Sequence, residues 1–147
     1  MSQLKRKVNP QKTRICRVPE ESFDFLGYTL GRCYRARSGQ AYIGTKPSGK
    51  RVNRICEKIS QMTQRQWCWK ETSQLVGDLN LVLKGWGNYF CLGAVSKAYR
   101  AVDSHARQRL CHKHKVQKEA RHRFWDEYFY QELGLVRLES QGPNLAT

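Results

Sequence analysis

Apolar residues recur along this chain with the three- and four-residue spacing of amphipathic helices. Three stripes of this kind alternate with polar or basic positions that would face solvent. The stripes consist of Val52, Ile55, Cys56, Ile59 and Met62; of Leu75, Val76, Leu79, Leu83 and Trp86; and of Tyr99, Val102, Ala106 and Leu110. The pattern predicts three helices that each bury one face against a common core.

Local signals set the expected ends of these helices. Ser48 precedes the first stripe and could cap that helix by accepting a hydrogen bond from an amide of the first turn. The second helix is predicted to begin near residue 72 and to end around Gly85, because glycine weakens helix propensity. The third is predicted over residues 96–115, and the aromatic run at 124–129 indicates a shorter fourth helix.

The segment before the first helix has the composition of β-strands. Residues 23–30 are rich in aromatic and β-favouring side chains and are followed by Gly31, which predicts extended structure in this region. Residues 33–35 and 41–43 flank a Ser38-Gly39 turn signal, which predicts a hairpin. The fold class expected is therefore α+β, with short N-terminal strands followed by a three- to four-helix basic bundle.

Charge narrows the choice of partner. The chain has 27 Lys and Arg against 12 Asp and Glu, a formal net charge of +15. Self-repulsion of this size is usually retained because a polyanion neutralises it. No stretch approaches the roughly 18 apolar residues of a membrane span, and no signal peptide is visible. We therefore expect a cytoplasmic protein whose partner is a nucleic acid and not a membrane.

Neither a metal site nor a catalytic residue is expected. The six cysteines form no Cys-x-x-Cys pair, which favours free thiols in a reducing compartment. Cys111 and His114 share a zinc-like spacing, but a structural zinc needs four converging ligands, so no cofactor is predicted. The chain contains no adjacent pair of Asp residues and no glycine-framed nucleophile turn.

Two segments resemble landmarks of the reverse transcriptases encoded by group II introns. Residues 9–13, followed by Phe25, Leu26, Gly27 and Tyr28, resemble the stretch after the polymerase active site, where the Phe-Leu-Gly element forms the primer grip. Residues 79–90 resemble the signature of the maturase-specific, or thumb, domain. The motif residues of that second segment are Gly85, Trp86, Asn88, Tyr89 and Phe90.

The resemblance implies a division of the chain. Residues 1–46 would be the residual end of the palm with a primer-grip-like segment, residues 47–132 the thumb or maturase-specific helical domain, and residues 133–147 a C-terminal tail. The family's Tyr-Ala-Asp-Asp motif and its partner Asp would lie upstream of everything present, so no polymerase site is expected. The resemblance implies binding of structured RNA, above all group II intron RNA, in support of splicing.

Lys and Arg on the helices are the expected contacts to RNA phosphates, because they release counterions from the RNA backbone. The run from Arg109 to His114 is also similar to the family's basic third helix. The predicted contacts are Lys50, Arg51, Arg54 and Lys58 on the first helix, with Arg100, Arg107, Arg109, Lys113 and Lys115 on the third. Together they would form a continuous cationic platform.

The aromatic residues have more than one interpretation. Trp86, Tyr89 and Phe90 could stack on unpaired bases, but aromatics at helical spacing are more often core, so this motif is interpreted as mainly structural. For Trp67 and Trp69, stacking on bases and packing are equally compatible with the sequence. The segment 25–28 could likewise grip a primer or belong to the core of a sheet.

Three alternatives stay open at this point. The chain could be the thumb subunit of a split reverse transcriptase whose palm is a separately encoded chain. It could be a truncated remnant with only general nucleic-acid binding. It could also be an unrelated basic protein that binds RNA or DNA.

Overall fold

A three-stranded antiparallel sheet precedes a helical bundle in the computed structural model, which describes residues 10–11, 15–18, 20–64, 70–113 and 126–141. The strands are β1 (Phe23–Phe25), β2 (Tyr28–Tyr34) and β3 (Ala41–Pro47), in the order β1-β2-β3. The helices are α1 (Gly49–Met62), α2 (Thr72–Tyr89) and α3 (Ser96–Lys113), followed by a π-helical turn (Tyr128–Glu132) and a 3-10 turn (Leu138–Gln141). This architecture confirms the predicted α+β class.

The predicted hairpin is present between β2 and β3. Its register runs from Tyr28 opposite Pro47 to Tyr34 opposite Ala41. Gly39 adopts a φ of 65° in the connecting loop, and its N–H donates to the carbonyl of Arg35 over 2.9 Å. The turn signal therefore marks the residue at which the chain needs a left-handed backbone.

Residues 23–30 form extended strands as predicted, with a chain reversal at Leu26 and Gly27 that the sequence did not indicate. Phe25 pairs with Tyr28, which leaves a two-residue hairpin loop. Both loop residues have positive φ, 53° at Leu26 and 86° at Gly27, as a type I′ turn requires. A leucine in this conformation is disfavoured, so contacts from elsewhere must hold the turn.

The start of α1 is fixed differently from the sequence prediction. Ser48 is the N-cap residue and is buried, but its side chain makes no capping hydrogen bond. Its backbone N–H instead donates to the carbonyl of Gly27 over 2.9 Å, and its own carbonyl accepts from Arg51 and Val52. The β1–β2 turn, and not a serine hydroxyl, anchors the first turn of α1.

The three predicted apolar stripes meet in one core. Ile55 and Ile59 of α1 lie against buried side chains of α2 and α3, and the more peripheral members of the stripes pack at its edge. The buried members from α2 and α3 are Leu75, Val76, Leu79, Leu83, Tyr99, Val102, Ala106 and Leu110. Trp86 is half-buried against this core, in agreement with its predicted inward direction.

α2 does not end at Gly85 but continues to Tyr89. The hydroxyl of Tyr99 donates to the carbonyls of Gly87 and Phe90 over 3.1 and 2.9 Å, so α3 satisfies acceptors at the end of the helix. This tertiary contact offsets the low helix propensity of two glycines. Gly87 also leaves room for Leu138, since a Cβ at that position would lie 2.9 Å from its Cδ2.

Two polar side chains fasten the segment after the π-helical turn to the bundle. The Asn80 amide accepts from the N–H of Val136 and donates to the carbonyl of Gly134, both over 2.8 Å. The Asp103 carboxylate accepts from the N–H groups of Leu138 and Glu139, both over 3.0 Å. Asp103 is only 8% exposed, and this burial raises its pKa while the two N–H donors oppose the shift.

This fastening adds apolar surface to the core. Phe129, Leu135 and Leu138 are buried, so the described part of the predicted tail packs against the helices. Phe124 and Trp125, assigned to a fourth helix with Phe129, lie outside the described residues. The domain boundaries at residues 46 and 132 stay a prediction.

The sheet joins the bundle through β3 and the loop between α2 and α3. The N–H of Ala94 donates to the carbonyl of Thr45 over 2.8 Å. Gly93 has a φ of 79°, and a Cβ there would lie 2.1 Å from the same carbonyl oxygen. Only glycine fits this contact, because both the backbone conformation and the available space exclude a side chain.

We expect Asp103→Ala to lower the free energy of unfolding by roughly 2–3 kcal/mol, because it leaves two backbone N–H groups without their charged acceptor. Urea denaturation followed by circular dichroism measures this. The matched control is Glu139→Ala, which removes a carboxylate in an exposed ion pair with Arg100 and should cost less than about 1 kcal/mol. Equal losses would contradict the role assigned to Asp103.

Two glycine substitutions should have opposite effects. Gly93→Ala should destabilise the protein by roughly 3 kcal/mol, from the left-handed backbone and the clash with Thr45 together. Gly85→Ala lies inside α2 with open space around the added Cβ, so it should stabilise by up to about 1 kcal/mol. Thermal unfolding of both variants checks the pair, and a stabilising Gly93→Ala would refute the close approach.

Candidate nucleic-acid interface

The exposed face of α1 carries the four basic residues predicted for this helix. Lys50, Arg51, Arg54 and Lys58 are all exposed, while Ile55 and Ile59 face the core. Within the described ranges, none of the four forms an ion pair or a side-chain hydrogen bond with another residue. They are therefore available to a ligand.

The position of these cations is unfavourable for the helix itself. The first turn of α1 contains Lys50 and Arg51 and no acidic residue, where the helix dipole favours negative charge. Like charges at a spacing of four residues, such as Lys50 with Arg54, repel each other. A polyanion bound along this face would offset both penalties.

A groove of about 450 Å³ runs between α1 and the end of α2. Arg51, Arg54 and Lys58 line one side, and Trp86 and Phe90 contribute an apolar wall. The rings of Trp86 and Phe90 lie 4.9 Å apart between centroids, and Phe90 is buried. The groove combines cations for phosphates with a rigid aromatic wall, and we call it the basic groove.

The two segments that carry the family resemblance contact each other beside the basic groove. Tyr89 donates from its hydroxyl to the carbonyl of Leu26 over 3.0 Å, and Tyr28 donates to the carbonyl of Tyr89 over 2.6 Å. A Cβ on Gly27 would lie 3.0 Å from Nε of Arg51 and 3.1 Å from Cζ of Phe90. The two tyrosine hydrogen bonds hold the strained turn in place. Gly27 lies close to the side chain of Arg51, near its Cγ and Nε atoms.

Three residues of the aromatic motif make contacts within the protein. Trp86 and Phe90 pack, and Tyr89 bonds to the β1–β2 turn while remaining 56% exposed. Burial raises the pKa of Tyr28 and of Tyr99, so both hydroxyls stay protonated as donors at neutral pH. Asn88 is exposed.

The arginines of α3 make contacts within the protein. Arg100 forms an ion pair with Glu139 over 2.7 Å, and Arg107 forms one with Asp126 over 3.1 Å. Arg109 donates to the hydroxyl of Thr63 over 3.0 Å and to the carbonyl of Ser60 over 3.3 Å, at the end of α1.

The structure therefore groups the four cations of α1 but gives the three α3 arginines local partners. The side chain of Lys113, and all of Lys115, lie outside the described residues, as do Trp67 and Trp69. A continuous platform that spans both helices stays a prediction, and so does each phosphate contact.

Sequence reasoning did not identify a second groove, between α1 and α3. It has a volume of about 460 Å³ and is lined by Asn53, Cys56, Glu57, Ser60, Gln61 and His105. The hydroxyl of Ser60 is hydrogen-bonded to Nε2 of His105 over 2.8 Å. The spacing of Asn53, Glu57 and Gln61 at every fourth position was a signal for a polar ridge along α1. We call this the polar groove.

Two of the thiols on the helices are partly buried. Burial raises the pKa of Cys56 and of Cys111, so both are poor nucleophiles at neutral pH. Among the described residues, no three His, Cys, Asp or Glu side chains come together as a metal site. His114, the other half of the zinc-like spacing, lies outside them. None of the described helices is long and apolar enough to span a bilayer.

Comparison with known proteins identifies the helical part of the chain. The family model described as the group II intron, maturase-specific domain matches residues 52–129, more than half of the 147 residues. The match covers all of α2 and α3, most of α1 and the start of the π-helical turn. A comparison with curated proteins finds no match.

The family match agrees with the resemblance seen in residues 79–90, and it supports a role in group II intron splicing and RNA binding. The maturase-specific domain is a non-catalytic domain of the reverse transcriptase family. The chain belongs to the family of proteins with a group II intron maturase-specific domain.

Proposed function

We propose that the chain binds folded group II intron RNA through the basic groove and the exposed face of α1. The RNA supplies the splicing chemistry, and the protein stabilises its splicing-competent shape. The observation that carries this proposal is the row of cations on α1 that have no ion-pair partner among the described residues, beside the aromatic wall of Trp86 and Phe90. Arg54 and Lys58 lie inside the family match, and Lys50 and Arg51 directly precede it.

The electrostatic argument favours α1 over α3 as the main phosphate-binding helix. A guanidinium already paired with a carboxylate, such as Arg100 or Arg107, must share or exchange its partner to bind a phosphate. The cations of α1 carry no such cost. In our proposal Arg109 acts mainly by joining α3 to the end of α1.

The test replaces Arg51, Arg54 and Lys58 together by Gln and measures binding to a group II intron RNA over a series of KCl concentrations. If all three contact phosphates, the slope of log K against log salt should become less steep by about 2–3, and affinity at physiological salt should fall. Circular dichroism confirms that the variant is folded.

The matched control replaces Arg32, Arg35 and Arg37, which are exposed on β2 and the following loop, and removes the same charge. In this control, the slope of log K against log salt should change by less than it does in the α1 variant. Equal changes in the two variants would show that only total charge matters, which contradicts a defined interface on α1.

A second candidate function is the thumb subunit of a split reverse transcriptase. An exposed apolar patch at the β1–β2 turn favours it: Phe25 is 61% exposed, Leu26 66% and Leu92 63%. Contiguous apolar surface of this kind commonly marks a protein contact. A separately encoded palm chain is the partner that this candidate requires.

Reconstitution distinguishes the two candidates. A group II intron reverse transcriptase palm, expressed separately, is mixed with this chain and supplied with primer, template and Mg²⁺. Under the first proposal the chain does not restore primer extension. Extension that depends on the chain, and that Leu26→Asp abolishes while intron RNA binding persists, would favour the split enzyme.

A further inference from the structure

The polar groove differs from the basic groove in its charge. Among the residues that the structure describes, no Lys or Arg lines it, and Glu57 is its one acidic residue. Glu57 and Gln61 form the ridge between the two grooves, because they line both. The Arg109 guanidinium, on the α3 side, is already hydrogen-bonded to Thr63 and to the Ser60 carbonyl. The polar groove therefore suits a neutral part of a nucleic acid better than a phosphate.

The ridge presents a regular row of hydrogen-bonding groups. Asn53, Glu57 and Gln61 follow each other at every fourth residue, so they lie one helical turn apart along one face of α1. All three are exposed, and within the described part of the chain none has a side-chain hydrogen bond to another residue. A carboxylate with an amide on each side is thus open to a ligand.

The opposite wall is held in place by contacts between the helices. His105 is half-buried, and its Nε2 is hydrogen-bonded to Ser60, which fixes the plane of the imidazole. One turn further along α3, Arg109 bonds to Thr63 and to the Ser60 carbonyl, which fixes the spacing of α1 and α3. A fixed ring beside a row of polar groups is the kind of site in which proteins hold unpaired bases.

The chemistry of the row selects among the bases. A carboxylate accepts hydrogen bonds and donates none when it is ionised, so it requires a base edge with donors. The Watson–Crick edge of guanine places two N–H donors next to a carbonyl. Those donors match the two oxygens of Glu57, and the carbonyl matches an amide of Asn53 or Gln61.

We propose that the polar groove holds one unpaired guanine of the bound RNA, with Glu57 accepting from its Watson–Crick edge and His105 against its face. This inference rests on the proposed RNA-binding function and adds a base preference to it. The basic groove binds the backbone on one side of the ridge, and the polar groove reads a base on the other.

The test uses short single-stranded RNA, so that it does not depend on the choice of intron. Binding of a uridine decamer with one central guanosine is compared with binding of an all-uridine decamer and of a decamer with inosine at the centre. The guanosine should raise affinity about tenfold, since a good bidentate contact discriminates by about fivefold or more. Inosine lacks one of the two donors and should lose most of this gain.

The Glu57→Gln variant distinguishes loss of the hydrogen-bond acceptor from loss of the negative charge, because the two losses change RNA binding in opposite directions. Removing a negative charge from a protein that binds RNA should strengthen binding, whereas loss of the bidentate acceptor should weaken it for the guanosine decamer alone. We expect the guanosine preference to fall at least fivefold, with no change in the salt dependence. The matched control is Glu132→Gln, an exposed carboxylate on the π-helical turn, which should keep the preference.

The outcomes separate this inference from the proposed function. Equal binding of the guanosine and uridine decamers, or binding of neither, overturns the base site even if the intron RNA binds normally. Tighter binding of the guanosine decamer by the Glu57→Gln variant than by the wild-type protein also overturns the base site. Failure of the wild-type protein to bind intron RNA would instead refute the proposed function. A variant with Gln61→Ala provides an independent check, since it removes an amide without changing charge.

Discussion

A backbone hydrogen bond from the N–H of Ser48 to the carbonyl of Gly27 ties the first turn of α1 to the sheet. The turn that supplies this acceptor has two residues with positive φ and is held by the Tyr89 hydroxyl and by the absence of a side chain on Gly27. The sheet therefore positions the helix that carries the candidate interface. The β1–β2 turn and the end of α2 thus satisfy each other's backbone carbonyls, through the Tyr89 and Tyr28 hydroxyls.

α1 gives up local stability at its exposed face. Its first turn has cations where the helix dipole disfavours them, its N-cap serine makes no side-chain bond, and its basic residues repel one another. Burial of Ile55 and Ile59 offsets these terms, because each buried aliphatic side chain contributes roughly 1.5–3 kcal/mol. Local disagreement of this kind concentrates at functional sites. α2 also has glycines of low helix propensity near its end, but there the Tyr99 hydroxyl caps the helix from α3.

Periodicity predicted the helices and their buried faces, because the spacing of Leu75, Leu79 and Leu83 follows directly from helix geometry. It could not predict the reversal at Leu26, since leucine is not a turn residue and its conformation depends on Tyr89, 63 positions away. The same holds for the partners of Arg100 and Arg107, which come from the C-terminal segment. Charge on a helix could be counted from the sequence, but whether that charge was already paired required the tertiary structure.

In the proposed complex, the basic groove supplies affinity for the RNA backbone, and the polar groove, on the other side of Glu57 and Gln61, supplies selectivity for a base. Phosphate contacts on the basic side lose strength as salt rises, because they depend on counterion release. Hydrogen bonds to a base edge release no counterions, so selectivity on the polar side should persist at salt concentrations that weaken overall binding. Phe90 is buried and Trp86 packs against it, so the two rings support each other as the wall of the basic groove. The position of Glu57 fits the same division. A carboxylate within a purely phosphate-binding surface would repel the RNA. On the ridge between the two grooves, its charge instead keeps the RNA phosphates on the side of the basic groove.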